Sequence, residues 1–253
     1  KGYHVNTVNN GDEAIDLLIR LFCEAKKDSI LICSPTYGLY SVYAKLQNAT
    51  VIDVPLREDR AFQLDMRRID SLVTTHVKLI FLCSPNNPTG NTLKKEDIFS
   101  ICKKCSNSII VLDEAYIDFA DTESSATCIS QYPNLVILRT ASKAYGLAGA
   151  RVGGLIAQSV IIQWILSILA PYPLPAMITQ FVLDALSDEK YAMIQQQIAI
   201  IQSERERLQE ALGQLSYVQK IWPSEANFIL IRVTDAKQVI HACQKYGIVL
   251  RSM

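Results

Sequence analysis

The amino-acid sequence predicts an α/β fold in which a mostly parallel β-sheet carries helices on both faces. Three observations support this fold class. Short apolar segments alternate with longer segments of helical periodicity up to residue 169. The chain has 253 residues, of which 49% are hydrophobic, so it can bury a large core. Polar residues recur directly after the apolar segments, where the carboxyl ends of parallel strands form a ligand-binding edge.

Six segments are expected to be strands, because they are short, rich in Val, Ile and Leu, and bounded by turn residues. They are Ile30–Cys33, Thr50–Val54, Leu79–Cys83, Ile109–Asp113, Leu135–Arg139 and Val152–Ala157. Apolar residues recur at helical spacing in four further segments, which are expected to be helices packed against these strands. They are Asp12–Ala25, Tyr37–Leu46, Lys94–Cys105 and Ile161–Leu169. Strands that alternate with helices in this way predict βαβ units.

The pattern changes after Pro175. The remaining segments predict a long helix, two strands, a shorter helix and a last strand. Their bounds are Tyr191–Gln214, Tyr217–Trp222, Asn227–Val233, Ala236–Tyr246 and Ile248–Arg251. We therefore expect a large domain over residues 1–175. Residues 176–253 are expected to supply connecting helices and an incomplete, smaller α+β domain.

Composition argues against several classes of function. Lysine plus arginine and aspartate plus glutamate each number 25, and this zero formal charge does not favour a nucleic-acid partner. The apolar run Leu155–Ala170 is interrupted by polar residues and is too short for a membrane span. An odd count of seven cysteines favours a reducing, cytoplasmic compartment. Cys102 and Cys105 form a single CxxC pair without a second one, so no metal site is predicted.

The run TASKAYGLAGAR, residues 140 to 151, carries the clearest chemical signal. The hydroxyls of Thr140 and Ser142 and the guanidinium of Arg151 suit a phosphate group, because they offer several donors and a forked cation. The amine of Lys143 suits a carbonyl that must form a Schiff base. Pyridoxal 5'-phosphate contains both a phosphate and an aldehyde.

Two other segments strengthen this interpretation: SPNNPTG at residues 84 to 90 and IIVLDEAYIDF at residues 109 to 119. Together the three resemble the signature segments of fold-type I, aspartate-aminotransferase-like pyridoxal-phosphate enzymes. Within that group the chain is most similar to the histidinol-phosphate aminotransferases. That closer resemblance depends on six segments in the same order, namely NGDEAIDLLIR, PTYGLY, SPNNPTGN, DEAYIDF, APYPLP and EANFIL.

The resemblance implies an activity and its partners. The expected reaction is amino transfer between histidinol phosphate and 2-oxoglutarate, which give imidazole-acetol phosphate and glutamate, in histidine biosynthesis. The expected assembly is a homodimer. In the family, an N-terminal arm precedes the NGDE region, while a last strand and helix with an arginine for the substrate carboxylate follow the GIVLR region. We expect both parts in the full protein.

The resemblance also assigns four residues to the reactive carbonyl, the ring nitrogen and the phenolic oxygen of the cofactor. Lys143 is the expected Schiff-base lysine, Asp113 the partner of the pyridinium nitrogen, and Asn87 and Tyr116 the partners of the phenolic oxygen. The residues themselves leave simpler interpretations open. Lys143 could be a solvated surface lysine, Asp113 could cap a helix, and Asn87 could only serve its turn, because Asn-Pro favours turns.

Five residues are expected at the cofactor phosphate. Thr140, Ser142 and Arg151 would contribute side chains, and Gly11 and Asp12 would contribute backbone N–H groups at a helix N-terminus. For the side chain of Asp12, a first-turn helix role remains an alternative. Arg139 competes with Arg151 for the phosphate, and the family pattern favours Arg151.

Three residues carry the remaining expectations. Tyr37 resembles the aromatic residue that stacks on the cofactor ring, although simple packing is the alternative. Arg251 and Asn87 are expected to contact substrate, Arg251 through the substrate phosphate. Other functions remain open on the same scaffold: a threonine-phosphate decarboxylase, an aromatic aminotransferase, or a pyridoxal-phosphate-binding module without catalysis.

Overall fold

The computed structural model describes residues 3–8 and 11–253, with side chains from residue 11 onward. Asn10, the first residue of the NGDE segment, lies outside the described residues. Within the described chain, seven strands form the main sheet in the order β1-β7-β6-β5-β4-β2-β3. They are β1 (Tyr3–Val8), β2 (Ser29–Ile32), β3 (Thr50–Asp53), β4 (Val77–Cys83), β5 (Ile109–Asp113), β6 (Leu135–Thr140) and β7 (Gly153–Gln158).

The predicted mostly parallel sheet is confirmed, with one exception. Strand β7 runs antiparallel to both of its neighbours, β6 and β1. Residues 141–152, which connect β6 to β7, contain a short 3₁₀ turn at Ala148–Ala150 and no crossover helix. A parallel return needs a longer crossover, usually a helix, so the chain reverses direction instead.

Six helices belong to the same part of the chain. They are α1 (Gly11–Phe22), α2 (Leu39–Leu46), α3 (Met66–Leu72), α4 (Lys95–Lys104), α5 (Ser159–Ile168) and α6 (Ala176–Ala185). The sequence pattern predicted α1, α2, α4 and α5 but missed the other two. Helix α3 has only seven residues, too few to show a period, and it is capped by the Asp65 carboxylate, which accepts from Arg68 N.

Alternate residues of each strand enter two separate cores, as the period of two requires. On one face, Phe81 of β4 and Leu138 of β6 pack with α1, α2 and α5. On the other face, Leu82 of β4 and Ile137 of β6 pack with α3 and α4. Each such side chain contributes about 1.5–3 kcal/mol by leaving water. These two cores confirm that helices cover both faces of the sheet.

The C-terminal part contains α7 (Asp188–Gly213), β8 (Val218–Ile221), β9 (Ile231–Val233) and α8 (Ala236–Gln244). Helix α7 contacts the first part of the chain, because Arg205 Nη1 donates to the carbonyl of Phe119 at 3.4 Å. The same nitrogen donates to Ala226 O at 3.0 Å. Of the described helices, none has the length and apolar character that a membrane span requires.

One predicted strand is wrong. Residues Ile248–Arg251 are not part of either described sheet, and the side chain of Val249 is 86% exposed. A strand is stabilised by its ladder partner, and this segment pairs with no described strand. The division into domains at residues 175 and 176 remains a prediction.

Gly90 joins the turn at residues 84–90 to the C-terminal part. Its φ is +79°, and an added Cβ would lie 2.5 Å from Ser224 Oγ and 2.8 Å from Ser224 Cβ. We expect Gly90→Ala to lower the free energy of unfolding by about 2–3 kcal/mol, from left-handed backbone strain and overpacking. Urea denaturation of the protein measures this change. Gly146→Ala is the matched control, because Gly146 has a φ of +66° but no neighbour within 4 Å. Equal losses in the two variants would contradict the packing argument.

Candidate active site

All eleven residues singled out from the sequence line one cleft of about 310 Å³. They are Gly11, Asp12, Tyr37, Asn87, Asp113, Tyr116, Thr140, Ser142, Lys143, Arg151 and Arg251. Sequence reasoning missed further lining residues, including Cys83 and Leu138, and it named Arg139 only as a competitor of Arg151. The roles of these residues remain predictions, but their placement in one cleft is a property of the fold.

The topology explains this convergence. Strands β4, β5 and β6 are parallel neighbours, so their carboxyl ends meet at one edge of the sheet. The polar parts of the three signature segments lie there, because SPNNPTG follows Cys83, DEAYIDF follows Leu112 and TASKAYGLAGAR follows Arg139. Strand β1 runs in the same direction as β6, since both are antiparallel to β7, and α1 therefore begins at the same edge.

Asp113 is the buried carboxylate of the cleft. It ends β5 and is 8% exposed. The hydroxyl of Tyr40 donates to its Oδ2 at 2.7 Å, and Ala115 N donates to its Oδ1 at 3.0 Å. Burial raises the pKa of the carboxyl, while these two hydrogen bonds act in the opposite direction. The next helical turn, Ile117–Phe119, is preceded by Tyr116 at its cap position, so Asp113 does not cap it.

Lys143 lies on the loop after β6 and is exposed. Its Nζ lies 5.3 Å from the ring centroid of Tyr116. Burial raises the pKa of Tyr116 to about 12, so its hydroxyl stays protonated at neutral pH and can donate a hydrogen bond. Asn87 Nδ2 lies 3.5 Å from that hydroxyl, at the outer limit of hydrogen bonding. These three polar groups therefore lie close together in the cleft.

The two asparagines of the NNPTG turn have different surroundings. The amide nitrogen of Asn86 donates to Pro35 O at 2.8 Å and to Thr89 Oγ1 at 2.6 Å, and its oxygen accepts from Thr36 Oγ1 at 2.9 Å. Asn86 is 1% exposed, and its side-chain hydrogen bonds stabilise the turn. Asn87 lines the cleft instead. This geometry supports the preference for Asn87.

A second group of residues that line the cleft suits an anion. Gly11 and Asp12 open α1, where unpaired N–H groups and the helix dipole attract negative charge. The Nη2 atom of Arg151 lies 3.5 Å from Asp12 Oδ2, and Tyr37 Oη donates to Asp12 Oδ1 at 2.8 Å. The carboxylate of Asp12 thus links Tyr37 to Arg151. This contact role goes beyond that of an acidic residue in the first turn of a helix, which was the alternative interpretation. Thr140 Oγ1 accepts from Ser142 N at 3.1 Å and stays at the same edge.

Arg139 is occupied by a different partner. Its Nη2 donates to Asp118 Oδ1 at 2.6 Å, and the two side chains are 24% and 15% exposed. A partly buried ion pair with this geometry is costly to break. The guanidinium of Arg151, which is 46% exposed, is therefore the better candidate for a mobile anion.

The residues present fit pyridoxal phosphate. A helix N-terminus, two hydroxyls and a guanidinium form an anion-binding end. A buried carboxylate needs a cationic partner or a proton, and a protonated ring nitrogen would supply one. Lys143 lines the same cleft, whose volume is at the lower limit for ligand pockets, about 300 Å³.

Arg151→Ala tests the anion-binding end. Because hydrogen bonds to charged groups contribute about 1.5–3 kcal/mol, we expect the variant to bind pyridoxal phosphate about 10- to 100-fold more weakly. Absorbance titration of the cofactor-free protein measures the dissociation constant. The matched control is Arg207→Ala, which removes an exposed arginine of α7 that pairs with Glu204. Unchanged affinity in the Arg151 variant would contradict its placement at the phosphate.

Comparison with known proteins adds independent findings. Residues 4–253 match the profile of the family described as aminotransferase class I and II. The histidinol-phosphate aminotransferase of Francisella philomiragia is 41% identical over 251 residues, which cover 99% of this chain and 69% of that protein. The crystal structure of the histidinol-phosphate aminotransferase from Clostridium acetobutylicum superposes with a TM-score of 0.89 at 27% identity and covers 99% of this chain and 74% of that one.

A third likeness concerns the fold alone. The histidinol-phosphate aminotransferase of Sinorhizobium meliloti, solved in complex with pyridoxal-5'-phosphate, superposes with a TM-score of 0.86 at 23% identity. The superposition covers 98% of this chain and 67% of that one. These likenesses confirm the fold class predicted from the sequence.

Proposed function

This chain belongs to the aminotransferase class I and II family, and from that premise we propose that it transfers an amino group between histidinol phosphate and 2-oxoglutarate in histidine biosynthesis. Members of the family are pyridoxal-phosphate-dependent transaminases. The observation that carries the proposal is the meeting of Lys143, the buried Asp113, the anion-binding end and Arg251 in one cleft. The name of the Francisella relative supports the choice of substrate.

The bound cofactor supplies a carbonyl carbon that accepts the amino group and a ring that withdraws electrons from the substrate. Lys143 is the residue that would hold the cofactor covalently, through its Nζ atom, until substrate binds. The freed Nζ then removes the proton from the substrate Cα and later returns a proton, so one residue acts as general base and general acid. Its loop carries Gly146 with a φ of +66°, which helps the chain turn beside the cleft.

The surrounding residues bind and orient. In this proposal Asp113 holds a proton at the ring nitrogen, while Asn87 and Tyr116 bind the phenolic oxygen. Thr140, Ser142, Arg151 and the N–H groups of Gly11 and Asp12 bind the cofactor phosphate, and Tyr37 packs against the ring. Such fixed donors lower the barrier because they need no reorganisation during the reaction.

Arg251 is the proposed partner of the substrate phosphate. It lines the cleft and also an adjoining, mainly apolar cavity of about 510 Å³. A forked guanidinium suits a phosphate monoester. Threonine phosphate shares that group, so Arg251 alone does not separate the transaminase from the decarboxylase alternative. A binder without catalysis is disfavoured by the intact set of Lys143, Asp113, Asn87 and Arg151 in one cleft.

Absorbance spectroscopy of the full-length holoenzyme tests the proposal. Histidinol phosphate without an acceptor should convert the visible band of bound pyridoxal phosphate to that of pyridoxamine phosphate, and 2-oxoglutarate should restore the first band with release of glutamate. Threonine phosphate should release no carbon dioxide. Release of carbon dioxide, or a band that does not respond to histidinol phosphate, would overturn the assigned substrate.

A homodimer and a cytoplasmic location belong to the same proposal. Large apolar side chains are exposed along and after α5, including Trp164 at 47%, Tyr172 at 92% and Phe181 at 56%. A patch of this kind marks an interaction surface. Seven free cysteines suit a reducing compartment. Light scattering after size exclusion measures the mass, and a monomer at micromolar concentration would refute the dimer.

A further inference from the structure

Tyr40 occupies a fixed position behind the proposed cofactor site. It lies on α2, one helical turn after Tyr37, and its side chain is 0% exposed. Its ring stacks on Phe81 of β4, with centroids 4.7 Å apart and planes 15° apart. Its hydroxyl donates to Asp113 Oδ2 at 2.7 Å. The ring is therefore held by packing, and the hydroxyl is directed at the buried carboxylate.

This hydrogen bond has a consequence for Asp113. One oxygen of Asp113 accepts from Ala115 N and the other from Tyr40. The two donors fix the carboxyl plane, and each oxygen keeps a lone pair for a partner in the cleft. Burial and the carboxylate raise the pKa of Tyr40 well above its usual value, so its hydroxyl is protonated and can donate at neutral pH.

We propose that Tyr40 is a positioning residue that keeps the Asp113 carboxylate ionised and aimed at the ring nitrogen of the bound cofactor, so that the shared proton stays on that nitrogen. The inference rests on the assignment of Asp113 to that nitrogen under the proposed function. A hydroxyl donor stabilises the carboxylate relative to its protonated form. Without this donor Asp113 becomes more basic, and the proton moves from the ring nitrogen to the carboxyl group.

Other groups near Asp113 do not replace this donor. Asp12 acts on it with the same sign of charge and raises its pKa, while the cation of Lys143 lowers it. Lys143 is the group proposed to react, so its charge changes during turnover. The Tyr40 hydroxyl, by contrast, is a neutral and buried side-chain donor that takes no part in the proposed reaction, and it serves the oxygen that Ala115 N does not.

The test compares Tyr40→Phe with Tyr43→Phe in the holoenzyme. Phenylalanine keeps the ring against Phe81 and removes only the hydroxyl. Tyr43 lies on the same helix but is not one of the two described hydrogen-bond donors of Asp113, and its replacement is the matched control. The readout is the ¹⁵N signal of pyridoxal phosphate labelled at the ring nitrogen. In Tyr40→Phe we expect this signal to move toward neutral pyridine, with kcat lower by about 10- to 100-fold and KM nearly unchanged.

The outcomes separate the two proposals. A wild-type signal of an unprotonated ring nitrogen would refute the assignment of Asp113. A protonated signal that is the same in wild type and Tyr40→Phe would overturn the role of Tyr40 and leave the proposed function intact.

A double-mutant cycle with Asp113→Asn covers the case in which Tyr40→Phe is less stable. Each protein is titrated with pyridoxal phosphate. We expect Tyr40→Phe to weaken binding when Asp113 is present and to have little effect in the Asp113→Asn background. Equal losses in both backgrounds would assign Tyr40 to packing alone and overturn the inference.

Discussion

Replacing Lys143 with alanine is expected to lower kcat by about 10³-fold or more. The variant loses the amine that bonds the cofactor and the base that moves the Cα proton, and general acid–base catalysis alone contributes about 10²- to 10⁴-fold. The fold should not change, because Lys143 is exposed and its Nζ lies 5.3 Å from the centroid of the Tyr116 ring. Steady-state assays with histidinol phosphate and 2-oxoglutarate measure the loss.

Borohydride reduction adds a readout that does not depend on turnover. In the wild-type holoenzyme it should attach the cofactor permanently to the peptide that contains Lys143, as mass spectrometry detects. Lys237→Ala is the matched control, because Lys237 is an exposed lysine on α8. Attachment to another lysine, or full activity of Lys143→Ala, would remove the basis of the proposed mechanism. Added methylamine should restore part of the activity if the missing group is only a base.

The sheet was predictable because its strands are local apolar segments. All six strands predicted before residue 175 form, and their ends differ from the expected ones by two residues or fewer. Strand β1, with the sequence YHVNTV, was not predicted, since half of its residues are polar and it lies at the edge of the sheet. The antiparallel direction of β7 depends on how the chain reverses after β6. The spacing of hydrophobic residues does not indicate the direction of a strand.

The candidate site was predictable to the extent that its groups lie in contiguous motifs. Lys143, Thr140 and Ser142 share one loop, so their types and spacing already suggest a phosphate and a carbonyl. The Tyr40–Asp113 hydrogen bond joins residues 73 positions apart, and nothing in either segment indicates the other. The three-residue spacing of Tyr37 and Tyr40 suggests that both tyrosines face the same side of the chain, but it does not identify Asp113 as the partner of Tyr40.

Long-range contacts also separate the two arginines. From the sequence alone, only the family pattern favours Arg151 over Arg139 as the residue that binds the cofactor phosphate. The fold supplies a physical reason, because Asp118 lies within 2.6 Å of Arg139. Sequence reasoning therefore finds candidate chemistry, while packing decides which candidates are already occupied by a partner.

Replacing Asp113 with asparagine is expected to lower kcat by about 10²- to 10⁴-fold, with the protein still folded. A neutral amide cannot stabilise a cation at the ring nitrogen, so the ring withdraws electrons less effectively. The amide still has an oxygen that can accept from Tyr40. Asp121→Asn is the matched control, because Asp121 is exposed and only eight positions away. Activity close to wild type would show that no charge is needed at this position.

The same substitution is expected to change the stability of the cofactor-free protein in a pH-dependent way. Burial raises the pKa of Asp113 above its usual value of 3.8. A carboxyl group whose pKa is higher in the folded state stabilises the fold at low pH and loses that contribution as the pH rises through the folded-state pKa. Asparagine does not titrate. The free energy of unfolding of Asp113→Asn, relative to wild type, should therefore increase from about pH 4 to pH 7 in the absence of cofactor. Urea denaturation at both pH values measures this difference. A difference that does not change with pH would mean that the carboxyl group is not desolvated, and burial would then not be the reason that it needs a cationic partner.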